Sequence, residues 1–170
     1  MNKLVRVGLG AVIALGSVCT PVLASESQPV PSTDGPPTPY VVEGGKPGRS
    51  PGAVAATYWY STEGDYVHKS GSDASAHGWW INISGPAGTK ANVDVQLQVN
   101  LGVFGWVNAG PNFSSDVYAG GGAGNRTTAR YRCVGTRVMT WRSVVDVDII
   151  GASDPDNKRF TAPRSVACSV

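Results

Sequence analysis

The chain has 170 residues and carries 14 Lys and Arg against 12 Asp and Glu, a formal net charge of +2. This length accommodates one domain of ordinary size plus a leader segment. So small a charge excess argues against a nucleic-acid-binding protein and gives no reason to expect an anionic membrane as partner.

The first 24 residues have the three parts of an export signal. Lys3 and Arg6 form a short basic start, residues 7–18 are an uncharged apolar run, and residues 22–24 place compact residues before a cleavage site after Ala24. We therefore predict a signal peptide over residues 1–24, bacterial in appearance, and a secreted protein. The apolar run is shorter than the roughly 20 residues that span a bilayer, so a retained anchor is the disfavoured alternative.

Removal of the predicted signal changes the charge balance. Cleavage removes Lys3 and Arg6 and no acidic residue, which leaves 12 basic against 12 acidic side chains and a net charge of zero. Cys19 raises the alternative of a lipoprotein, but Val18 is not the small residue expected before an acylated cysteine. We expect no nucleic-acid partner and no membrane span in the mature protein.

Residues 25–51 form a proline-rich segment. Seven of the 23 residues from 29 to 51 are proline, with Ser, Thr and Gly between them. Because such a stretch can neither pair in a sheet nor bury apolar surface, we predict a disordered linker with extended polyproline conformations. A pro-segment or a recognition ligand is the alternative.

Residues 52–170 show the period-two alternation of β-strands. In residues 90–101 every second residue is apolar and the others are polar, which predicts a long antiparallel strand with one face in water. Residues 127–134 and 138–150 follow the same alternation, and glycine and proline separate the runs. The fold class that this pattern predicts is all-β: a single antiparallel β-sandwich, immunoglobulin-like or a barrel-like variant.

Two cysteines remain in the mature chain, Cys133 and Cys168. An even number in an exported protein predicts a disulfide bond, which would tie the final strand to the body of the domain. Two cysteines and two histidines far apart in sequence do not readily supply a zinc site, so we expect no metal and no cofactor. Asp154 and Asp156 are weak calcium candidates, since the same residues also suit a proline-containing turn.

Aromatic residues provide the first candidate binding site. Trp79 and Trp80 are adjacent, so alternation sends them to opposite faces; if Trp79 packs inward, Trp80 faces outward beside Asn82. Trp59 and Tyr66 add further ring surface. Rings that stack on sugar C–H faces, with amides nearby to bind hydroxyls, are typical of carbohydrate sites, so we take Trp59, Tyr66, Trp80 and Asn82 as ligand-binding candidates.

The polar face of the strand over residues 90–101 is a second candidate. Amide-rich strand faces occur in carbohydrate-binding sandwiches, but alternation alone already explains this polarity, and we interpret the face as the solvated side of a sheet. Its members are Asn92, Asp94, Gln96, Gln98 and Asn100.

No sequence motif predicts catalysis. The chain lacks a Gly-x-Ser-x-Gly elbow, a His-Glu-x-x-His pair and a phosphate-binding loop, and His68 and His77 are its only histidines. We therefore predict a secreted non-catalytic β-sandwich module that binds a glycan or a cell-wall component. The alternatives are a protein-interaction protein (an inhibitor, an antibacterial factor or a surface component) and, less favoured, a small extracellular hydrolase.

Overall fold

The computed structural model describes residues 38–42, 57–155 and 158–170, the first range as backbone only. Strands dominate these residues and pair into two antiparallel sheets that pack together, which confirms the predicted all-β sandwich. The one helical segment in the described ranges is the 3₁₀ turn Gly102–Phe104, and no helix there is long and apolar enough to cross a membrane.

The first sheet, called sheet 1, has the order β10-β1-β2-β4-β8, with β3 beside β4 as the continuation of β2. Its strands are β1 (Thr38–Val42), β2 (Thr57–Gly64), β3 (His68–Ser70), β4 (Asp73–Ser84), β8 (Thr127–Arg132) and β10 (Ala152–Ser153).

The second sheet, called sheet 2, has β9 and β5 at its centre. β11 and β12 pair with the outer edge of β9, while β6 and β7 pair with the outer edge of β5. Its strands are β5 (Lys90–Asn100), β6 (Trp106–Asn108), β7 (Phe113–Tyr118), β9 (Gly135–Ile149), β11 (Arg159–Phe160) and β12 (Arg164–Ser169).

The core lies between the sheets and follows the predicted alternation of the two central strands of sheet 2. β5 buries its odd-numbered apolar residues and leaves its even-numbered polar residues partly exposed on the outer face. β9 does the same with Trp141, Val145, Val147 and Ile149, while Leu101, at the predicted end of the β5 pattern, lies outside the strand and is exposed.

A pair of glycines on sheet 1 packs closely against side chains of sheet 2. Gly64 and Gly78 face each other across the β2–β4 ladder, and a Cβ at either position would lie within 2.8 Å of the Val145 side chain. A Cβ at Gly78 would also lie 2.6 Å from Val95 Cγ2. Real Cβ atoms do not approach so closely, so glycine is required there for packing density rather than for a special backbone angle.

The predicted division of the chain can be compared only in part with the structure. Thr38–Val42, inside the predicted linker, forms β1 and pairs with β2 and β10. Pro39 lies where β1 has β2 as its partner but not β10, so its missing N–H is compatible with the sheet. The signal peptide and the rest of the linker lie outside the described residues, and both assignments stay predictions.

The predicted disulfide is present. Cys133, just after β8, bonds to Cys168 in β12 and so fastens the last strand to the turn before β9. The indole of Trp141 supports the same junction, since its Nε1 donates a hydrogen bond to the Cys168 carbonyl at 3.0 Å.

Candidate functional site

The structure places Trp80 in the core, not on the surface. Its side chain is fully buried, its Nε1 donates to the Val117 carbonyl at 3.1 Å, and its ring meets Tyr60 edge-on at 6.5 Å. The prediction that Trp80 faces outward is therefore wrong. Ala76 and Gly78 must be small because they face the opposite sheet, and this decides which side chains of β4 point inward. Trp80 follows them at the same period-two spacing and therefore lies on the inner face too.

Trp79 takes the outer face but does not form a binding platform. Only 4% of its surface is exposed, because the glycine-rich loop after β7 lies over it. A Cβ at Gly121 would be 3.1 Å from the indole nitrogen, so the loop backbone rests directly on the ring. Adding a second layer over a sheet is one of the ways in which an outer aromatic residue becomes buried.

The other three predicted ligand-binding residues do not converge on one site. Trp59 is 43% exposed near the start of β2, whereas Tyr66 follows the end of that strand, so seven residues separate them. At about 3.3 Å per strand residue this is roughly 20 Å. Arg164 stacks on the Tyr66 ring at 4.4 Å, and Asn82 donates a hydrogen bond to the Pro86 carbonyl. A binding role for these residues stays a prediction.

Asp154, the one calcium candidate among the described residues, has a structural explanation. The Asp154 carboxylate accepts hydrogen bonds from the Tyr60 hydroxyl at 3.2 Å and from the Ile149 N–H at 3.0 Å. Burial, reinforced by this carboxylate, raises the pKa of Tyr60 well above its ordinary value near 10. Asp156 lies outside the described residues. Asp154 therefore buttresses the β9–β10 turn.

The outer face of sheet 2 carries an open groove of about 330 Å³, within the size range of small-molecule sites. It runs over the polar face of β5 and is closed on one side by β11. Seven of its nine lining residues carry a carboxylate, an amide or an ammonium group, and one carries an aromatic ring: the lining residues are Asp94, Gln96, Gln98, Asn108, Asn112, Val144, Asp146, Lys158 and Phe160.

Strand register brings the groove residues into rows across the sheet. Gln98 pairs with Asn108 on one side and Arg142 on the other, and both neighbours hydrogen-bond its side chain: Nε2 donates to Asn108 at 2.9 Å and Oε1 accepts from Arg142 Nε at 2.8 Å. Asp94 faces Asp146 directly in the β5–β9 ladder. These bonds hold the amides in fixed directions, as a preorganised polar surface requires.

Arg142 fills the space between two aromatic rings at one end of the groove. Its guanidinium carbon lies 4.3 Å from the centre of the Trp106 ring and 4.5 Å from that of Phe160. Burial lowers the pKa of Arg142, and stacking on the two ring faces stabilises its cation. Phe160 keeps 53% of its surface exposed, so the stack still offers apolar ring surface to a ligand.

Two carboxylates, Asp94 and Asp146, and one ammonium group, Lys158, line the groove. Asp146 forms an ion pair with Lys158 at 3.5 Å, while Oδ1 of Asp94 is shielded from solvent and has no hydrogen-bond partner among the described residues. An unsatisfied carboxylate oxygen is costly unless a donor reaches it, and a ligand hydroxyl becomes such a donor once the Asp94 side chain turns toward the open groove. The arrangement thus suits a neutral, hydroxyl-rich molecule better than a polyanion.

A separate apolar tip lies at the turn between β5 and β6. Val103 and Phe104 are 95% and 80% exposed, on a 3₁₀ turn bounded by Gly102 and Gly105. Both glycines have a positive φ, which any other residue adopts only with strain. Two glycines are therefore required to form a turn that exposes large hydrophobic side chains to solvent.

Sequence reasoning considered the β5 polar face but missed its partners. Alternation over residues 138–150 implies that Arg142 lies on the outer side of its strand, but it does not show that Trp106, in three-residue β6, and Phe160, in two-residue β11, lie beside it. A usable signal was the Trp-x-Asn of β6 next to an amide-rich strand, which places a ring and an amide on one face.

Comparison with known proteins adds no relative: no protein-family model, no curated protein and no solved structure matches this chain.

Proposed function

We propose that the protein is a secreted, non-catalytic β-sandwich module that binds a neutral glycan of the cell envelope in the groove of sheet 2. The observation that supports it is the groove itself: about 330 Å³ of open volume lined by fixed amides and two facing carboxylates, beside the half-exposed ring of Phe160. Sugars combine apolar C–H faces with hydroxyls, and this wall offers partners for both.

Phe160 is the apolar half of the proposed site. Its exposed ring stands next to Val144, its partner in the β9–β11 ladder, and together they form the apolar part of the groove wall. Asp94 and Gln98 are the polar half, one with a free acceptor and the other held by its neighbours. A ligand that stacks on Phe160 would have to extend across β9 to reach these polar groups on β5.

The test is a pull-down of the purified protein on insoluble polysaccharides and cell-wall preparations, with three variants in parallel. Phe160→Ala and Asp94→Ala should each weaken binding about tenfold or more, the effect of losing roughly 1.4 kcal/mol of ligand contact. Ile83→Ala is the matched control, because Ile83 has the same 53% exposure as Phe160 but lies on sheet 1. Circular dichroism verifies that each variant is folded.

Other outcomes of this experiment assign the site elsewhere. If Trp59→Ala, added as a fourth variant, abolishes binding while both groove variants bind like the parent, the ligand sits at the start of β2 and the groove assignment is wrong. If no preparation is bound by any form, the glycan reading fails. Release of soluble sugar that stops in Asp94→Asn would instead indicate a hydrolase that uses the facing carboxylates.

A protein-interaction role is the second candidate, and the apolar tip at Val103 and Phe104 favours it. Exposed Phe side chains at a rigid turn are characteristic of contact surfaces rather than of solvated loops. In the same pull-down, binding to cell-wall preparations that survives in the groove variants and is lost in Phe104→Ser would support a protein component as partner.

A further inference from the structure

The only two histidines of the chain meet at a buried carboxylate on the outer face of sheet 1. Asp65 Oδ2 lies 2.6 Å from Nδ1 of His77 and 3.9 Å from Nδ1 of His68, and the two imidazole rings are stacked with their centres 5.5 Å apart. Asp65 and His77 are 5% and 6% exposed, whereas His68 is half-buried and opens the cluster to solvent.

A tight hairpin produces this cluster from residues nine apart in sequence. β3 and β4 are joined by the two-residue turn Gly71–Ser72, in which Gly71 has the positive φ that a type II′ hairpin turn requires. The resulting register pairs His68 with Ser75, so His77 follows two residues later on the same face. Asp65, just after β2, reaches across to His77, whose backbone N–H donates to its Oδ1.

The cluster contains a buried carboxylate and a buried hydroxyl whose polar interactions are incomplete. Among the described residues, the buried Asp65 carboxylate contacts the His77 backbone N–H and two imidazoles, groups that carry no permanent positive charge. Ser75, fully buried on the same face and paired with His68 in the ladder, has an Oγ with no hydrogen-bond partner in the described part of the chain. A buried carboxylate and an unsatisfied hydroxyl are both stabilised by a bound cation and its water.

We propose that Asp65, His68 and His77 form a binding site for a divalent transition-metal ion of the zinc or copper class. Their ligand atoms lie within 4.8 Å of one another. Two imidazoles and one carboxylate are a donor set suited to these ions rather than to calcium or magnesium, which prefer oxygen ligands. The sequence-based expectation of no zinc site considered only cysteine and histidine ligands, whereas Asp65 supplies a third ligand here.

The geometry requires modest rearrangement on binding. Bonds of about 2.0–2.2 Å at a tetrahedral ion place ligand atoms about 3.4 Å from one another. The Asp65–His77 pair must therefore open by somewhat less than 1 Å, and the His68 ring, on its half-exposed side, must turn toward them. Three protein ligands leave one position of a four-coordinate ion for water.

The site can be tested by titrating Zn²⁺ and Cu²⁺ separately into the chelator-treated full chain, prepared without a histidine tag, by isothermal calorimetry. We expect one equivalent to bind and the thermal midpoint to rise with metal concentration. His68→Ala should weaken binding at least tenfold while leaving the fold intact, because His68 is the least buried ligand. Asp73→Asn, a carboxylate on the same sheet face that pairs with Arg132, is the matched control and should bind like the parent.

A second measurement separates a direct ligand role from a structural one. Co²⁺ bound by nitrogen and oxygen ligands has visible d–d absorption, which should appear on addition to the parent and to Asp73→Asn and be lost in His68→Ala. Absence of binding by either ion at about 100 μM, or equal binding by the parent and His68→Ala, would overturn the proposal.

Discussion

Breaking the Cys133–Cys168 bond should destabilise the domain by about 4 kcal/mol without changing its fold. The bond spans a separation of 35 residues and closes a loop of 36 counted inclusively. In the chain-entropy model, such a loop lowers the entropy of the unfolded chain by about 13 cal/mol/K, which is about 4 kcal/mol at 25 °C. Since whole domains have only about 5–15 kcal/mol, this is a large share.

The native contacts of β12 explain why the fold should survive. β12 keeps its ladder to β9, the Val134 N–H still donates to the Ser169 carbonyl, and Trp141 Nε1 still donates to the Cys168 backbone. These bonds do not depend on the sulfur atoms. The perturbation is the double variant Cys133→Ala/Cys168→Ala, which removes both thiols and so avoids a free cysteine in the core.

Urea unfolding followed by tryptophan fluorescence measures the effect. The midpoint should fall and the m-value should rise, because an unfolded chain without the cross-link exposes more surface. The parent protein with its disulfide reduced should match the double variant within about 1 kcal/mol, and the single variant Cys133→Ala should lose nearly as much. A loss below about 1 kcal/mol with an unchanged m-value would refute the loop-closure reasoning.

Two further predictions concern the aromatic core. Trp80→Ala should lower the free energy of unfolding in urea by about 3–5 kcal/mol, since the ring is fully buried and its N–H donates to Val117. Trp59→Ala, at the exposed start of β2, should lower it by less than about 1 kcal/mol. Equal losses in the two variants would contradict this placement of the rings. Because burial raises the pKa of Tyr60, the unfolded chain loses its proton first as pH rises above about 10, so stability should decline from there upward. Tyr60→Phe should flatten that decline in unfolding midpoints between pH 7 and 12, and Tyr118→Phe, half exposed, should leave it as in the parent.

The fold was predictable where one face of a strand is apolar and the other polar. β5 alternates over its whole length, and β9 over most of it, so their inner residues could be named from the sequence. β4 offers no such signal, because its centre contains histidine, glycine and two tryptophans in a row. Its phase is decided by close packing of Gly78 against Val95 and Val145, contacts that no local pattern contains.

The two candidate sites differ in how much of each is local in sequence. The His68–His77 cluster consists of a ten-residue hairpin and Asp65, which lies shortly before it in the chain. Recognising the two-residue turn at Gly71–Ser72 in the sequence would therefore have been enough to predict that both histidine rings share one face. The groove needs β5, β9 and β11 side by side, and β11 joins them through two residues that carry no strand pattern. Period-two reasoning could identify its polar wall but not the aromatic rings that border it.

The two sites lie on opposite outer faces of the sandwich, which makes them separable by experiment. His77 is on the side of β4 opposite to Ala76 and Trp80, and the groove is on the side of β5 opposite to Val95 and Leu97. Two sheets, packed about 10 Å apart, therefore stand between them, a distance at which substitutions usually act independently. Loss of metal binding in His68→Ala with unchanged glycan binding, and the reverse in Phe160→Ala, would assign one ligand to each face. Loss of both in a single variant would instead indicate a change in the packing of the sheets at Gly64 and Gly78.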